Sequence, residues 1–79
     1  MIPLHRRWER GTRYYQVDLC HDLWGQWVVI QRWGRRGTAL GQTRRVPCHS
    51  HAEALNLVAR IEHRRLQHGY CKVDPVKLS

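Results

Sequence analysis

The segment from Gln31 to Arg45, QRWGRRGTALGQTRR, concentrates side chains that suit the chemistry of phosphate binding. Five arginines, one tryptophan and three glycines fall within these fifteen residues. Arginine offers a planar fork of donors that fits phosphate oxygens in pairs, and tryptophan offers a flat surface for a base or sugar. Glycine lets a ligand approach the backbone closely. The segment therefore predicts contact with a phosphate-bearing ligand.

The tripeptide Trp33, Gly34 and Arg35 is the first candidate within this segment. Trp33 would stack, Gly34 would allow close approach, and Arg35 would hold a phosphate. The alternative is that Trp33 belongs to the core and Arg35 makes a structural ion pair. The residue types alone leave both interpretations open.

More cations flank the same loop, and pairing of its two strands would bring them to one end of a sheet. Adjacent strand residues point to opposite faces, so only one of Arg44 and Arg45 reaches a given ligand surface. We take Arg44 as the contact. The predicted nucleic-acid-binding residues are Trp33, Gly34, Arg35, Arg36, Arg32 and Arg44.

The whole chain shares this charge bias. Of its 79 residues, 14 are Lys or Arg and 6 are Asp or Glu, which gives a formal net charge of +8. Twelve of those cations are arginine. The bias favours an anionic partner. Contact with nucleic acid explains it better than a role of the arginines in solubility alone.

Other chemistries find little support in the spacing of residues. The CHSH segment at 48–51 and the pair Cys20 and His21 lack the usual spacing of zinc ligands, and a helix cap explains Ser50. No motif joins Cys71 to a histidine, and the glycines match no P-loop or dinucleotide fingerprint. We predict a non-enzyme with no catalytic residues, metal, cofactor or small-molecule substrate.

The cysteine count and the hydropathy bear on where the protein resides. The three cysteines are odd in number and lack CxxC spacing, which fits a reducing cytosol better than a disulfide framework. The N-terminus has no apolar run of signal-peptide length, and no eighteen apolar residues follow one another. We expect a cytoplasmic protein with no membrane partner.

The elements that must position the phosphate-binding residues are mostly strands. Alternation over Arg13–Cys20 places Tyr15, Val17 and Leu19 on one face, and the β-branched and aromatic run that follows predicts an antiparallel partner. We predict strands at 13–20, 26–33 and 42–47, the last ended by Pro47, with an additional edge strand at 4–9 and a short final strand at 70–73.

A change of period then predicts one helix. Ser50 and Glu53 match a capping box, and Ala54, Leu57, Val58 and Ile61 form an apolar stripe that ends before Gly69. The predicted fold is α+β: a small antiparallel sheet of four to five strands with the helix on one face. We expect one domain over 1–79, with a core at about 4–73 and a flexible tail at 74–79.

The order of RYYQVDL, GQWVVIQRWGRRGTALGQ and a capped helix ending in HGY resembles the WGR domain over roughly Arg13 to Tyr70. That family occurs in poly(ADP-ribose) polymerases and in short bacterial proteins. The resemblance implies contact with DNA near a break, on the side of a 5′ terminus, with the motif tryptophan, here Trp33, against the terminal nucleotide. It also implies that Arg35 is able to serve a protein contact.

Arg36 departs from the family pattern, because that position is usually aliphatic. It would either extend out to solvent or add a phosphate contact. The leading hypothesis is a stand-alone module that binds the DNA phosphate backbone without reading sequence, with breaks and 5′ ends as candidate targets. RNA and single strands are variants of it. The alternative is a protein-interaction module that docks on an acidic partner with Trp33 as its anchor.

Overall fold

Alternating apolar and polar residues build one open antiparallel sheet, against which a single helix packs. The computed structural model describes residues 4–38 and 41–73. The strands run in the order β4-β3-β2-β1-β5. The elements are β1 (Leu4–Arg10), β2 (Arg13–His21), β3 (Trp27–Arg35), β4 (Gly41–Cys48), α1 (His51–Gln67) and β5 (Cys71–Val73). The predicted α+β fold is confirmed.

The two faces of the sheet differ in what covers them. On the helix face, fully buried Trp8, Leu19 and Val29 form the core with Ala54 and Val58 from α1. The side chains on the opposite side of the pleat form the open face, which carries His5, Arg7, Glu9, Gln16, Asp18 and Arg32. The residues that the β2 pattern predicted to share one face, Tyr15, Val17 and Leu19, therefore all lie on the helix face.

The position of β1 differs from the sequence-based expectation. We predicted an edge strand at 4–9, but β5 pairs with β1 from Arg7 to Glu9, so β1 lies inside the sheet. This pairing joins segments separated by the whole fold, which local patterns do not reveal. The edge strands are β4 and β5. Pro47 lies within β4 rather than ending it, because an edge strand tolerates a missing N–H.

Both predicted ends of the helix are confirmed. The Ser50 hydroxyl accepts a hydrogen bond from the Glu53 backbone N–H over 3.1 Å. At the other end Gly69 adopts φ +84°, a left-handed conformation that glycine takes without steric cost, and the chain turns into β5. In the described part of the chain no helix is long and apolar enough to cross a membrane.

The turn between β2 and β3 is ordered by one carboxylate. Asp22 accepts hydrogen bonds from the backbone N–H groups of Trp24 at 2.8 Å and Gln26 at 2.9 Å. The turn holds Leu23 and Trp24 in solvent, where the Trp24 side chain is 89% exposed. This turn and the Trp33 segment lie at opposite ends of the same hairpin.

Candidate nucleic-acid interface

Trp33 lies near the end of β3 and is half-buried. Strand pairing sets it opposite Tyr15 of β2, and the two rings stack with centroids 5.6 Å apart and an interplanar angle of 11°. Tyr15 therefore fixes the orientation of the Trp33 ring. Trp33 therefore has features of both a core residue and a ligand-stacking residue. Its side chain packs against Tyr15 and also lines open surface hollows.

Two shallow hollows border the Trp33–Gly34–Arg35 segment. The first, of about 280 Å³, is completed by Arg13, Tyr14 and Tyr70. The second, of about 510 Å³, is completed by Thr38, Gly41 and Gln42. All three residues of the predicted tripeptide line both hollows. The aromatic surface, the backbone and the cation are thus brought together at one place.

Gly41 of β4 packs closely against Trp33 and Tyr14 beside this site. It pairs with Gly34, and a Cβ at position 41 would lie 3.1 Å from both the Trp33 carbonyl oxygen and the Tyr14 hydroxyl. Such contacts are tighter than ordinary van der Waals contacts, so a larger residue would force Trp33 or Tyr14 to move. Gly41 therefore leaves the space that Trp33 and Tyr14 occupy at the site.

The cations of the first hollow are not neutralised by the protein. Arg13 pairs directly with Arg35 across β2 and β3. Among the described residues, neither arginine takes part in a salt bridge. Like charges directly opposite one another destabilise a sheet. An anion between them would remove this cost.

Arg32 and Arg36 are placed differently, because carboxylates hold both. Arg32 lies 3.2 Å from the Asp18 carboxylate on the open face. Arg36 lies 3.4 Å from Glu9 and donates to the Gly11 carbonyl over 3.1 Å. Neither side chain lines a Trp33 hollow. Of the two alternatives for Arg36, the structure shows the side chain extended to solvent, where it contacts the β1–β2 hairpin.

Arg44 is also separated from the Trp33 hollows. It pairs with Gln31 and lines a groove beneath α1, whereas Arg45 pairs with Ile30 and points to the open face. The opposite directions of Arg44 and Arg45 agree with the predicted alternation. The structure therefore unites Trp33, Gly34 and Arg35 but disperses Arg32, Arg36 and Arg44.

Sequence reasoning missed Tyr70, Tyr14 and Arg13 as neighbours of Trp33. Tyr70 reaches the first hollow because Gly69 ends the helix and β5 then returns beside β1. Tyr14 and Arg13 start the strand that pairs with β3. The pairing register of β2 and β3 would have identified Arg13 and Tyr14 as neighbours of Trp33, but the sequence pattern does not define that register.

The family model described as WGR domain matches residues 4–77, nearly the whole chain. The chain belongs to the WGR domain family. This family is one of non-catalytic binding modules, and nucleic acid is its general class of ligand. Searches of curated proteins and of solved structures give no significant match.

Tyr15 connects the Trp33 platform of this WGR domain to the groove beneath α1. Its hydroxyl donates to the Gln31 Oε1 atom over 2.6 Å, and the Arg65 guanidinium lies 4.4 Å from its ring centre. Burial raises the pKa of Tyr15, while the charges of Arg65 and Arg44 oppose that rise. The neutral phenol is therefore favoured, and it is this form that donates the hydrogen bond to Gln31 Oε1.

The histidines and cysteines of this WGR domain do not assemble into a metal site within residues 4–38 and 41–73, where no group of three or more His, Cys, Asp or Glu could hold an ion. Cys48 is buried beside the helix start. Burial raises the pKa of its thiol, and the Glu53 charge adds to that rise. A protonated, covered thiol is a poor ligand and a poor nucleophile.

Proposed function

We propose that this WGR domain binds the DNA phosphate backbone without reading base sequence and receives the terminal nucleotide of a break or 5′ end on Trp33. One observation carries the proposal: an oriented tryptophan lines two hollows together with Arg35, whose charge no carboxylate in the described chain neutralises. Family membership supports nucleic acid as the ligand class.

The platform acts through stacking. Tyr15 supports the Trp33 ring from one side, so little side-chain freedom is lost when a base or sugar packs on it. Stacking of a base on an aromatic side chain contributes about 1–3 kcal/mol and accepts every base, because each base has a π-face. A nucleotide at a strand end is free to leave its own stack, which makes ends and nicks the favoured targets.

The cations provide the phosphate contacts. Arg35 and Arg13 supply paired donors on either side of the first hollow, and a bound phosphate would relieve their mutual repulsion. Arg32 and Arg36 already contact Asp18 and Glu9, so they contribute mainly through longer-range attraction. Two contacted phosphates correspond to a slope of log affinity against log salt of about −2, and the longer-range cations make it steeper.

Fluorescence anisotropy with labelled duplexes tests the proposal. The duplexes are intact, nicked, or ended with and without a 5′ phosphate, and each is titrated at several salt concentrations. We expect tighter binding to breaks and phosphorylated ends, with a loss of roughly tenfold or more for Trp33→Ala. Trp24→Ala is the matched control, because Trp24 is an exposed tryptophan at the opposite end of the hairpin.

Equal weak binding to all four duplexes, unchanged by Trp33→Ala, would reject the proposal. The protein-docking alternative would then be tested with a nuclease-treated pull-down. A retained partner that is lost with Trp33→Ala but kept with Trp24→Ala would identify Trp33 as a protein anchor. Trp33→Tyr keeps an aromatic ring beside Tyr15, so circular dichroism of both Trp33 variants separates lost stacking from misfolding.

A further inference from the structure

A separate groove lies between α1 and the helix face of the sheet. It has a volume of about 280 Å³, and it shares no lining residue with either Trp33 hollow. Four arginines line it: Arg44 from β4 and Arg60, Arg64 and Arg65 from the second half of α1. Positive charge from two different elements therefore converges on one small cavity.

The protein does not neutralise this charge. In the described residues no salt bridge reaches any of the four arginines. The carboxylates of the described residues lie elsewhere: Asp18 and Glu9 on the open face, Asp22 in the β2–β3 turn, Glu53 in the first turn of α1, and Glu62 beside Lys72. Bringing four cations together without a counter-charge costs free energy, and an anionic ligand would offset it.

Helix stability explains only part of this arrangement. Arg64 and Arg65 lie in the last turn of α1, where cations complement the helix dipole. Arg44 comes from a strand and gains nothing from that dipole. The Arg65 Nε atom is buried without a hydrogen-bond partner, while its guanidinium lies 4.4 Å from the Tyr15 ring centre and 5.3 Å from that of Tyr70. Two tyrosines thus hold Arg65 at the groove with an unsatisfied donor.

The remaining wall of the groove suits the rest of a nucleotide. Val46, Leu57 and Ile61 supply apolar surface, and the Tyr15 ring supplies a flat one. The Gln31 side chain lines the same groove at 8% exposure, and its Oε1 atom accepts from Tyr15, so its amide nitrogen carries the donors that a ligand can use. The volume is near the lower end of small-molecule sites, about 300 Å³, and suits one nucleotide unit.

We propose that this groove is a second binding site, which takes the phosphate group of a nucleotide with its sugar or base against the apolar wall. The phosphate belongs either to a free mononucleotide or to one unit of a strand. Its lining residues are distinct from those of the two Trp33 hollows, and Tyr15, which stacks on Trp33, lies between the two sites. Its ligand class goes beyond the sequence-based expectation, which included no small molecule.

Adjacent residues of β4 offer a matched pair of variants. Arg44→Gln and Arg45→Gln remove the same charge from neighbouring exposed positions, but only Arg44 lines the groove. Binding of adenosine 5′-monophosphate and inorganic phosphate is measured by calorimetry, with adenosine as the phosphate-free control. We expect Arg44→Gln to weaken binding of the monophosphate about tenfold, because a charge-assisted hydrogen bond is lost. Arg45→Gln should change it less than about twofold.

A second arm identifies the source of the phosphate. If the mononucleotide does not bind but a short single-stranded oligonucleotide loses affinity with Arg44→Gln and not with Arg45→Gln, the site takes strand phosphates. Equal effects of the two variants on both probes would overturn the proposal. The groove is tested with Arg44→Gln and Arg45→Gln on these probes and the platform with Trp33→Ala on duplexes, so failure of one proposal is distinguishable from failure of the other. Circular dichroism confirms that each variant is folded.

Discussion

The open face and the helix face of this sheet both carry arginines, but the two faces differ in whether carboxylates pair with them. On the open face Arg7 contacts Glu9 at 2.9 Å and Arg32 contacts Asp18 at 3.2 Å. On the helix face the groove arginines, represented by Arg44, take part in no salt bridge among described residues. Four arginines without a salt bridge in the described chain therefore gather at the groove. The location of carboxylates, rather than that of arginines, decides where an anion would bind.

The open face uses its charges to join strands. Asp18 of β2 contacts His5 of β1 and Arg32 of β3, so a single carboxylate links three strands. Arg7 also donates to Gln16 over 3.0 Å. Partly exposed ion pairs contribute little one at a time, but a shared network holds several side chains together. This face is a structural surface.

Thiol reactivity should show the largest contrast between the faces. Cys48 is 2% exposed beneath the helix start, and burial raises the pKa of its thiol, whereas Cys71 is exposed on β5. We expect a thiol reagent to modify Cys48 about a hundredfold more slowly than Cys71, because reaction requires local opening. Single-cysteine variants followed by mass spectrometry measure the two rates. Comparable rates would show that the helix start does not cover its face.

Tyr15→Phe tests the buried hydrogen bond beneath the groove. The loss of the hydroxyl leaves Gln31 Oε1 without its donor and should lower the free energy of unfolding by about 1.5 kcal/mol. Burial raises the pKa of Tyr15 above its ordinary value of 10.0 in the folded state. Its contribution to stability is therefore complete below pH 10 and disappears as pH rises through the folded pKa. An ultraviolet titration of this variant should lose one tyrosine step above pH 10, and an unchanged titration would contradict the assignment.

Asp18→Asn tests the open-face network. It removes the negative charge that His5 and Arg32 share, and we expect the free energy of unfolding, measured in urea, to fall by about 1 kcal/mol. Glu62→Gln is the control, since its pair with Lys72 is long, at 3.6 Å, and exposed. The freed Arg32 should also strengthen DNA binding in Asp18→Asn. A smaller loss of stability than in the control would rule out the network as a structural device.

Arg44→Gln should change stability less than Tyr15→Phe and Asp18→Asn do, and it should raise stability rather than lower it. Removal of one cation from the groove relieves like-charge repulsion and should raise the free energy of unfolding by about 0.3 kcal/mol. Arg45→Gln should change it by less. The comparison uses melting temperatures in ligand-free buffer at low salt. A lower melting temperature for Arg44→Gln would mean that Arg44 stabilises the domain and that the groove is structural.

The sequence predicted those features of the fold that depend on local periodicity. Alternation predicted β2, and the Ser50 cap and Gly69 predicted both ends of α1. It missed the internal position of β1, because β5 reaches β1 only after the helix has crossed the sheet. Long-range strand order depends on tertiary packing, which neighbouring residues do not encode.

The candidate site was predictable only in part, for a similar reason. Trp33, Gly34 and Arg35 are consecutive, so any strand places them near one another. Arg32 and Arg44 are also close in sequence, yet pleating and pairing send them to opposite faces. The groove arginines are up to 21 residues apart and meet only because α1 packs over β4. Sequence proximity of arginines was therefore a poor guide to their shared surface.

The three residues of β5 give the Trp33 site a dynamic property. Tyr70 immediately precedes this strand, and it both completes the first hollow and packs near Arg65. Because β5 is a three-residue edge strand, we expect it to open locally more readily than the longer strands. Each opening would withdraw Tyr70 from the hollow, and a bound nucleotide would oppose it. Amide hydrogens of β5 should then exchange more slowly when DNA occupies the site, so that the last strand of the sheet reports on a ligand bound at the end of β3.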